Sequence, residues 1–273
     1  MIVLHHVNHL FGAKPQQGLI AARQRAGKDR IRDVLATTLA LDDVSLTVAA
    51  GELFVVMGPS GSGKSTLVRL INGLIVPQAG SVTVAGREIG TMTHRALTAF
   101  RRARTAMVFQ SFALFPHRTV AENAAFGLKV AGIGRAERDR RAKHWLTRVG
   151  LAGYEEAFPH ELSGGMRQRA GLARALAVEA PILLMDEPFS ALDPVTRSGL
   201  QSLLLEVQRE LARTIVFVTH DFAEAARLAG RMAVLDHGQI AQIGAPAQII
   251  AHPATPAVAR FVAPVAAQGP AGN

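Results

Sequence analysis

The sequence predicts an α/β fold: a parallel sheet with helices packed above and below, an antiparallel sheet beside it, and a helical segment inserted into it. Three observations predict this. The runs Phe54-Val55-Val56-Met57 and Ile182-Leu183-Leu184-Met185 are strand-sized and apolar on both faces, as parallel strands buried on both sides are. Helical stretches separate the later strand-like runs, the pattern of alternating strand and helix. From about Ser111 to Leu162 strand signals stop, while residues 122–130 and 135–149 carry apolar side chains at helical spacing.

In chain order, strands are expected at residues 2–7, 39–48, 53–57, 81–84 and 106–109, and again at 182–185, 214–218, 232–236 and 239–243. The stretches near the start and at 81–90 alternate in polarity, which suits the antiparallel sheet. Asp236-His237-Gly238-Gln239 joins two short strands as a hairpin. Residues 14–34 hold Lys14, Arg23, Arg25, Lys28, Arg30 and Arg32 and read as a solvated helix. One main domain is expected over residues 1–245, with its helical subdomain at about 111–165. Residues 246–273 are expected to form a short tail, rich in Pro, Gly and Ala after Pro264 and disordered there.

A chain of 273 residues, 49% of them apolar, can bury a sizeable core. The absence of cysteine excludes disulfides, thiolate metal sites and a cysteine nucleophile. The net charge of +9 allows an anionic ligand, membrane face or nucleic acid, but aromatics at 5% provide no base-stacking platform, so nucleic acid is not expected as a partner. No apolar run approaches the roughly 20 residues needed to span a bilayer. Met1-Ile2-Val3-Leu4-His5-His6 has no basic leader, so the chain is expected to stay in the cytoplasm.

Gly58-Pro59-Ser60-Gly61-Ser62-Gly63-Lys64-Ser65 follows a strand and precedes the helical run beginning at Thr66. The glycines let backbone N–H groups wrap a phosphate, and the helix N-terminus adds partial positive charge. In this phosphate-binding loop Lys64 should reach the β- and γ-phosphates and Ser65 should ligate Mg²⁺. Asp186 and Glu187 end a buried strand, where ligands of open α/β sheets bind: Asp186 suits Mg²⁺ and Glu187 a base that polarises water. Leu162-Ser163-Gly164-Gly165-Met166-Arg167-Gln168-Arg169 reads as a second anion-binding helix tip, with Ser163 as the N-cap of a helix running through Ala175. An ordinary capped helix accounts for Ser163 and Gly164 but leaves Gly165 without a reason.

These motifs together resemble the ATP-binding subunits of ABC transporters, with Leu162 to Met166 matching the family signature, and the likeness extends over nearly the whole chain. The resemblance implies a P-loop NTPase (RecA-like) core that binds ATP and Mg²⁺. It further implies that Phe11, in His9-Leu10-Phe11-Gly12, stacks on adenine, that Gln110 senses Mg²⁺ and the attacking water, and that His220 contacts the γ-phosphate. Ser190-Ala191-Leu192-Asp193 matches the loop that crosses the dimer interface. Two copies would pair head to tail, each ATP lying between Lys64 of one and Ser163 with Gly164 and Gly165 of the other. They would drive a separate membrane permease from its cytoplasmic face and serve a substrate-binding protein indirectly.

Residues 107–117, Ala125-Phe126-Gly127, Ala131-Gly132-Ile133 and the basic insert are similar to the subfamily importing glycine betaine, proline betaine and choline. The apolar, proline-bearing stretch from Ser111 to Val120 is expected to meet the permease. Two departures stand out: Pro188 follows Glu187 where that subfamily often has Ala, and Asn273 ends the chain without the tandem regulatory domains many members append. An importer motor for another small solute is the alternative. A non-transport ABC ATPase acting on ribosomes or DNA would call for two motor domains or long coiled coils, and a small-molecule P-loop kinase leaves the signature unexplained.

Overall fold

The computed structural model describes residues 1–24, 28–109, 113–190 and 192–266. The chain forms two compact units, Met1–Leu97 with Phe217–Asn273, and Thr98–Val216. The first begins with β1 (Ile2–Gly12), α1 (Pro15–Arg23), α2 (Lys28–Leu35), β2 (Thr37–Val48), β3 (Leu53–Met57), α3 (Lys64–Ile71), β4 (Ala79–Val84) and β5 (Arg87–Glu88). The helix α4 (His94–Arg104) leads into the second unit, with β6 (Thr105–Val108), α5 (Val120–Val130), α6 (Arg135–Arg148), α7 (Gly164–Ala177), β7 (Ile182–Asp186) and α8 (Pro194–Leu211). Along β8 (Thr214–Thr219) the chain returns to the first unit. That unit closes with α9 (Phe222–Leu228), β9 (Arg231–Asp236), β10 (Gln239–Gly244), α10 (Pro246–Ala251) and α11 (Pro256–Ala266).

In the first unit, alternation gives the antiparallel sheet its single buried face: the order is β2-β1-β4-β5, with Ile2 opposite both Val48 and Val84. Every residue of β3 is buried, and β3 runs parallel to β9, as its apolar sequence requires. The strands β9 and β10 form the expected hairpin, with His237 at φ 44° and Gly238 at φ 74°, the two left-handed residues that match strand twist. In the second unit β6 and β7 are parallel, and β7 is buried throughout.

Two expectations change. The basic insert is two helices, not one solvated helix: Leu19 and Ile31 are buried with Leu10 and Leu39, which anchors α1 and α2 to β1 and β2. The short segment expected after residue 245 carries two helices. Pro246 and Pro256 open α10 and α11, whose Ile249, Val258 and Val262 are buried. The part of the expected disordered tail beyond residue 266 lies outside the described residues. Among the described residues no helix is long and apolar enough to cross a membrane.

Candidate functional site

Neighbouring backbone dictates the shape of the phosphate-binding loop in the first unit. Gly58 takes φ 151°, and a Cβ there would lie 2.0 Å from the Leu235 carbonyl oxygen; at Gly63, with φ 102°, it would lie 2.5 Å from that of Ala40. No side chain can replace either hydrogen without moving main chain. The β9–β10 turn holds the loop from outside: Gly238 N donates to Ser62 O (3.0 Å), and Asp42 N donates to Gly238 O (2.8 Å). Lys64, buried at the first position of α3, donates from Nζ to Gly58 O (2.9 Å) and Pro59 O (2.8 Å), which lays its ammonium along the loop.

This cradle fits a phosphate chain. Gly63, the N-cap of α3, offers no side-chain acceptor to the first turn containing Lys64, Ser65 and Thr66. The Ser62 hydroxyl is buried with no hydrogen-bond partner among the described residues. Leaving such a group unpaired costs about 1–3 kcal/mol, a penalty an anionic ligand would relieve. Gly61, at φ 78°, faces open space, and Ser60 is exposed beside it.

Pro59 and His220 line a cavity of about 720 Å³ together with Asp221, Phe222, Asp236 and Arg260. His220 is exposed just past β8; Asp221 then caps α9, accepting from Ala223 N and Glu224 N. Phe11 is 41% exposed, so it is not a core residue, and its ring meets His9 edge to face at 4.6 Å. Burial holds the His9 imidazole below its ordinary pKa, so a neutral ring braces Phe11.

In the second unit, Asp186 is buried at the end of β7 and Glu187 is half-buried at φ 47°. A left-handed non-glycine residue is strained by about 1–3 kcal/mol and persists only where its surroundings enforce it. Gln168 is part of those surroundings: its Nε2 donates to Glu187 O at 3.5 Å, and its Oε1 is buried without a partner among the described residues. Ser163 is the exposed N-cap of α7 and accepts from Met166 N at 3.2 Å. A Cβ on Gly164 would meet only the end of Arg167 at 4.0 Å, and one on Gly165 would meet Leu192 Cδ2 at 3.3 Å. Asp193 caps α8, and the hydrogen bond from Thr196 N lowers its pKa. Gln110, Ala191 and the first two residues of the expected permease-facing stretch, Ser111 and Phe112, lie outside the described residues.

The stretch before α5 is organised by a residue outside every motif named above. Asn123, fully buried, accepts from Phe115 N (2.8 Å) and donates to the carbonyls of Phe115, Arg118 and Thr119 at 3.0–3.1 Å. The Arg118 guanidinium lies 5.1 Å from the Phe115 ring centre and 4.7 Å from that of Phe126. Beside them opens a cavity of about 820 Å³ lined by Arg118, Glu122, Phe126, Lys129 and Glu155. Gln168 and Asn123 share one sequence signal, an amide on a helix face otherwise made of small and apolar residues.

A family model described as ABC transporter matches residues 41–190. The glycine betaine/proline betaine transport system ATP-binding protein ProV of Escherichia coli is 48% identical over 252 residues, covering 92% of this chain and 63% of that protein. The trimethylamine N-oxide transport system ATP-binding protein TmoW of Pelagibacter ubique is 43% identical over 261 residues, covering 96% of this chain and 76% of the relative. Thus the chain spans less than two thirds of ProV. Among solved structures, the dimeric post-hydrolysis state of the ATP-binding cassette MJ0796 bound to ADP and Pi superposes with a TM-score of 0.78 at 32% identity, over 90% of this chain and 99% of that one.

Proposed function

This chain belongs to the ABC transporter family, and from that premise we propose that it is the ATP-hydrolysing subunit of an importer for a betaine-type quaternary amine. The observation that carries the reading is the cradle at residues 58–65: two glycines pressed against carbonyl oxygens, a buried lysine laid along the loop, and a buried serine hydroxyl in need of a partner. Such a site takes a polyphosphate, and ATP is the polyphosphate that the relatives' names specify.

Lys64 is assigned to the β- and γ-phosphates, with the N–H groups of residues 60–66 around them. Phe11, exposed and braced by His9, offers its face to adenine. Ser65, Asp186 and Gln110 are assigned to Mg²⁺, which when bound screens the charge that develops on the phosphates. Glu187 orients and polarises water as the general base, and His220 donates toward the γ-phosphate. Ser163, Gly164 and Gly165, at the tip of α7, are assigned by the family resemblance to the nucleotide of a second copy, with Asp193 on the loop between copies. Ligand shared by two chains stabilises their association, and hydrolysis withdraws that stabilisation.

The permease surface is assigned to the loop at 113–120, preordered by Asn123, with the charged cavity beside Arg118. Cargo specificity rests on likeness to the betaine and trimethylamine N-oxide relatives, because cargo chemistry belongs to other subunits. Work at the inner face of the membrane, with a permease and a substrate-binding protein, follows from the same reading.

Glu187→Gln tests it. ATP binding should persist while hydrolysis falls by about 10²–10⁴-fold, and light scattering should detect a dimer that forms with ATP and not with ADP. Hydrolysis at the wild-type rate would remove Glu187 from its role. In vesicles carrying this chain with a partner permease and binding protein, ATP-driven uptake of glycine betaine, and not of an unrelated sugar, tests the cargo.

A further inference from the structure

The basic segment between β1 and β2 is built into the phosphate-binding unit. Gly18 lets α1 lie close to both strands: a Cβ there would stand 2.7 Å from Leu10 Cδ2 and 2.9 Å from Thr37 Cγ2. With Leu19 and Ile31 buried, the insert cannot shift without opening that core. This anchoring fixes the start of α2, where Lys28 stands.

Lys28 reaches the β9–β10 turn. A Cβ on Gly238 would lie 2.9 Å from Lys28 Nζ and 2.6 Å from Ala40 O. Gly238 is the residue whose N–H donates to Ser62 O in the phosphate-binding loop, and Ala40 O is the atom against which Gly63 closes. Lys28 therefore stands where the two supports of that loop, β2 and the β9–β10 turn, meet. Each support carries a carboxylate. Asp42 follows Ala40 by two residues and accepts from Gln239 Nε2 at 2.7 Å, and Asp236 precedes the turn.

Two negative charges so placed would oppose a triphosphate in the loop, because Coulomb terms reach well beyond contact in a partly desolvated site. The Lys28 ammonium opposes both. Half-burial lowers its pKa, and the charges of Asp42 and Asp236 act in the other direction.

We propose that Lys28 is a positioning residue of the nucleotide site, seating the β9–β10 turn on the phosphate-binding loop and offsetting Asp42 and Asp236, so that the two-helix insert sets the affinity for ATP. This rests on the nucleotide-binding reading above, and the experiment separates the two. Binding of a fluorescent trinitrophenyl-ATP and steady-state ATPase kinetics would be measured on the full chain. Lys28→Met should raise both Kd and KM by about fivefold, the worth of one partly screened charge contact, with kcat kept. Lys28→Arg should stay near wild type. Adding Asp42→Asn to Lys28→Met should recover most of the affinity, and Asp42→Asn alone should bind more tightly than wild type, which keeps the test intact if Lys28→Met folds poorly.

A Kd unchanged in Lys28→Met despite a lowered melting temperature would make Lys28 merely structural and overturn the proposal. So would failure of both Asp42→Asn variants to tighten binding. Equal nucleotide binding by wild type and Lys64→Ala would instead overturn the nucleotide-site reading itself.

Discussion

The phosphate-binding loop and the signature helix both rely on glycine, for opposite reasons. Gly58 and Gly63 have left-handed φ angles, and their missing side chains make room for the carbonyls of Leu235 and Ala40. Gly164 and Gly165 sit in the first turn of α7 with ordinary helical backbone, and an added Cβ there would meet no main chain, only the end of Arg167 at 4.0 Å and the buried Leu192 Cδ2 at 3.3 Å. The first pair is held to glycine by main chain and φ; the second faces no such backbone barrier. Glycine is a poor helix former, by up to about 1 kcal/mol relative to Ala in a helix interior, and local structure gives no backbone reason for two in succession. Under the proposed function, a phosphate chain presented by a second copy would supply a reason for them.

Alanine substitutions can break the comparison. Gly58→Ala should have the largest effect, a loss of about 2–4 kcal/mol in folding stability along with nucleotide binding. Denaturant midpoints would register it, and a stable, nucleotide-competent variant would contradict the steric reading. Gly165→Ala should leave stability within about 1 kcal/mol of wild type, helix propensity offsetting the Leu192 contact. Its permease-coupled ATPase should fall by at least about tenfold, as when a well-placed backbone donor is obstructed. Full coupled activity in that variant would end the argument from glycine.

A smaller effect sharpens the picture of the helix tips. Asp193 has its pKa lowered by the N–H of Thr196, so its contribution to stability is complete above its ordinary pKa and is lost as pH falls through the depressed folded value. Unfolding followed between pH 5 and 2 should show Asp193→Asn losing less stability with acid than wild type. Equal acid sensitivity would mean that the cap at α8 carries no net charge effect.

Legibility follows from locality. The strand–loop–helix at residues 53–71 could be read because the eight loop residues are contiguous and the flanking strand and helix are strongly patterned. Ser163 could be read as an N-cap because capping involves residues three apart. The anchoring of the insert is not legible, because the partners of Leu19 and Ile31 are Leu10 and Leu39, beyond its ends, and a basic composition hides two anchoring side chains. The helices after residue 245 are hidden for a related reason: a short segment rich in Pro and Ala shows no clear helical period until a surface is available to bury Ile249 and Val258. Gln168 and Asn123 gave only a polar residue on an apolar helix face, and nothing in sequence says which carbonyl such an amide will find.

The amino-acid sequence by itself determined the α/β class, the hairpin after Asp236, the phosphate-binding loop, the capped signature helix and the family. Each is written in short-range pattern, where φ preference, side-chain period and capping act within a few residues. Tertiary structure decided why Gly58 and Gly63 must be glycine, how Glu187 is held in a left-handed conformation, and where Lys28 comes to rest. Those outcomes depend on contacts between residues far apart in the chain, which close packing selects and composition does not encode.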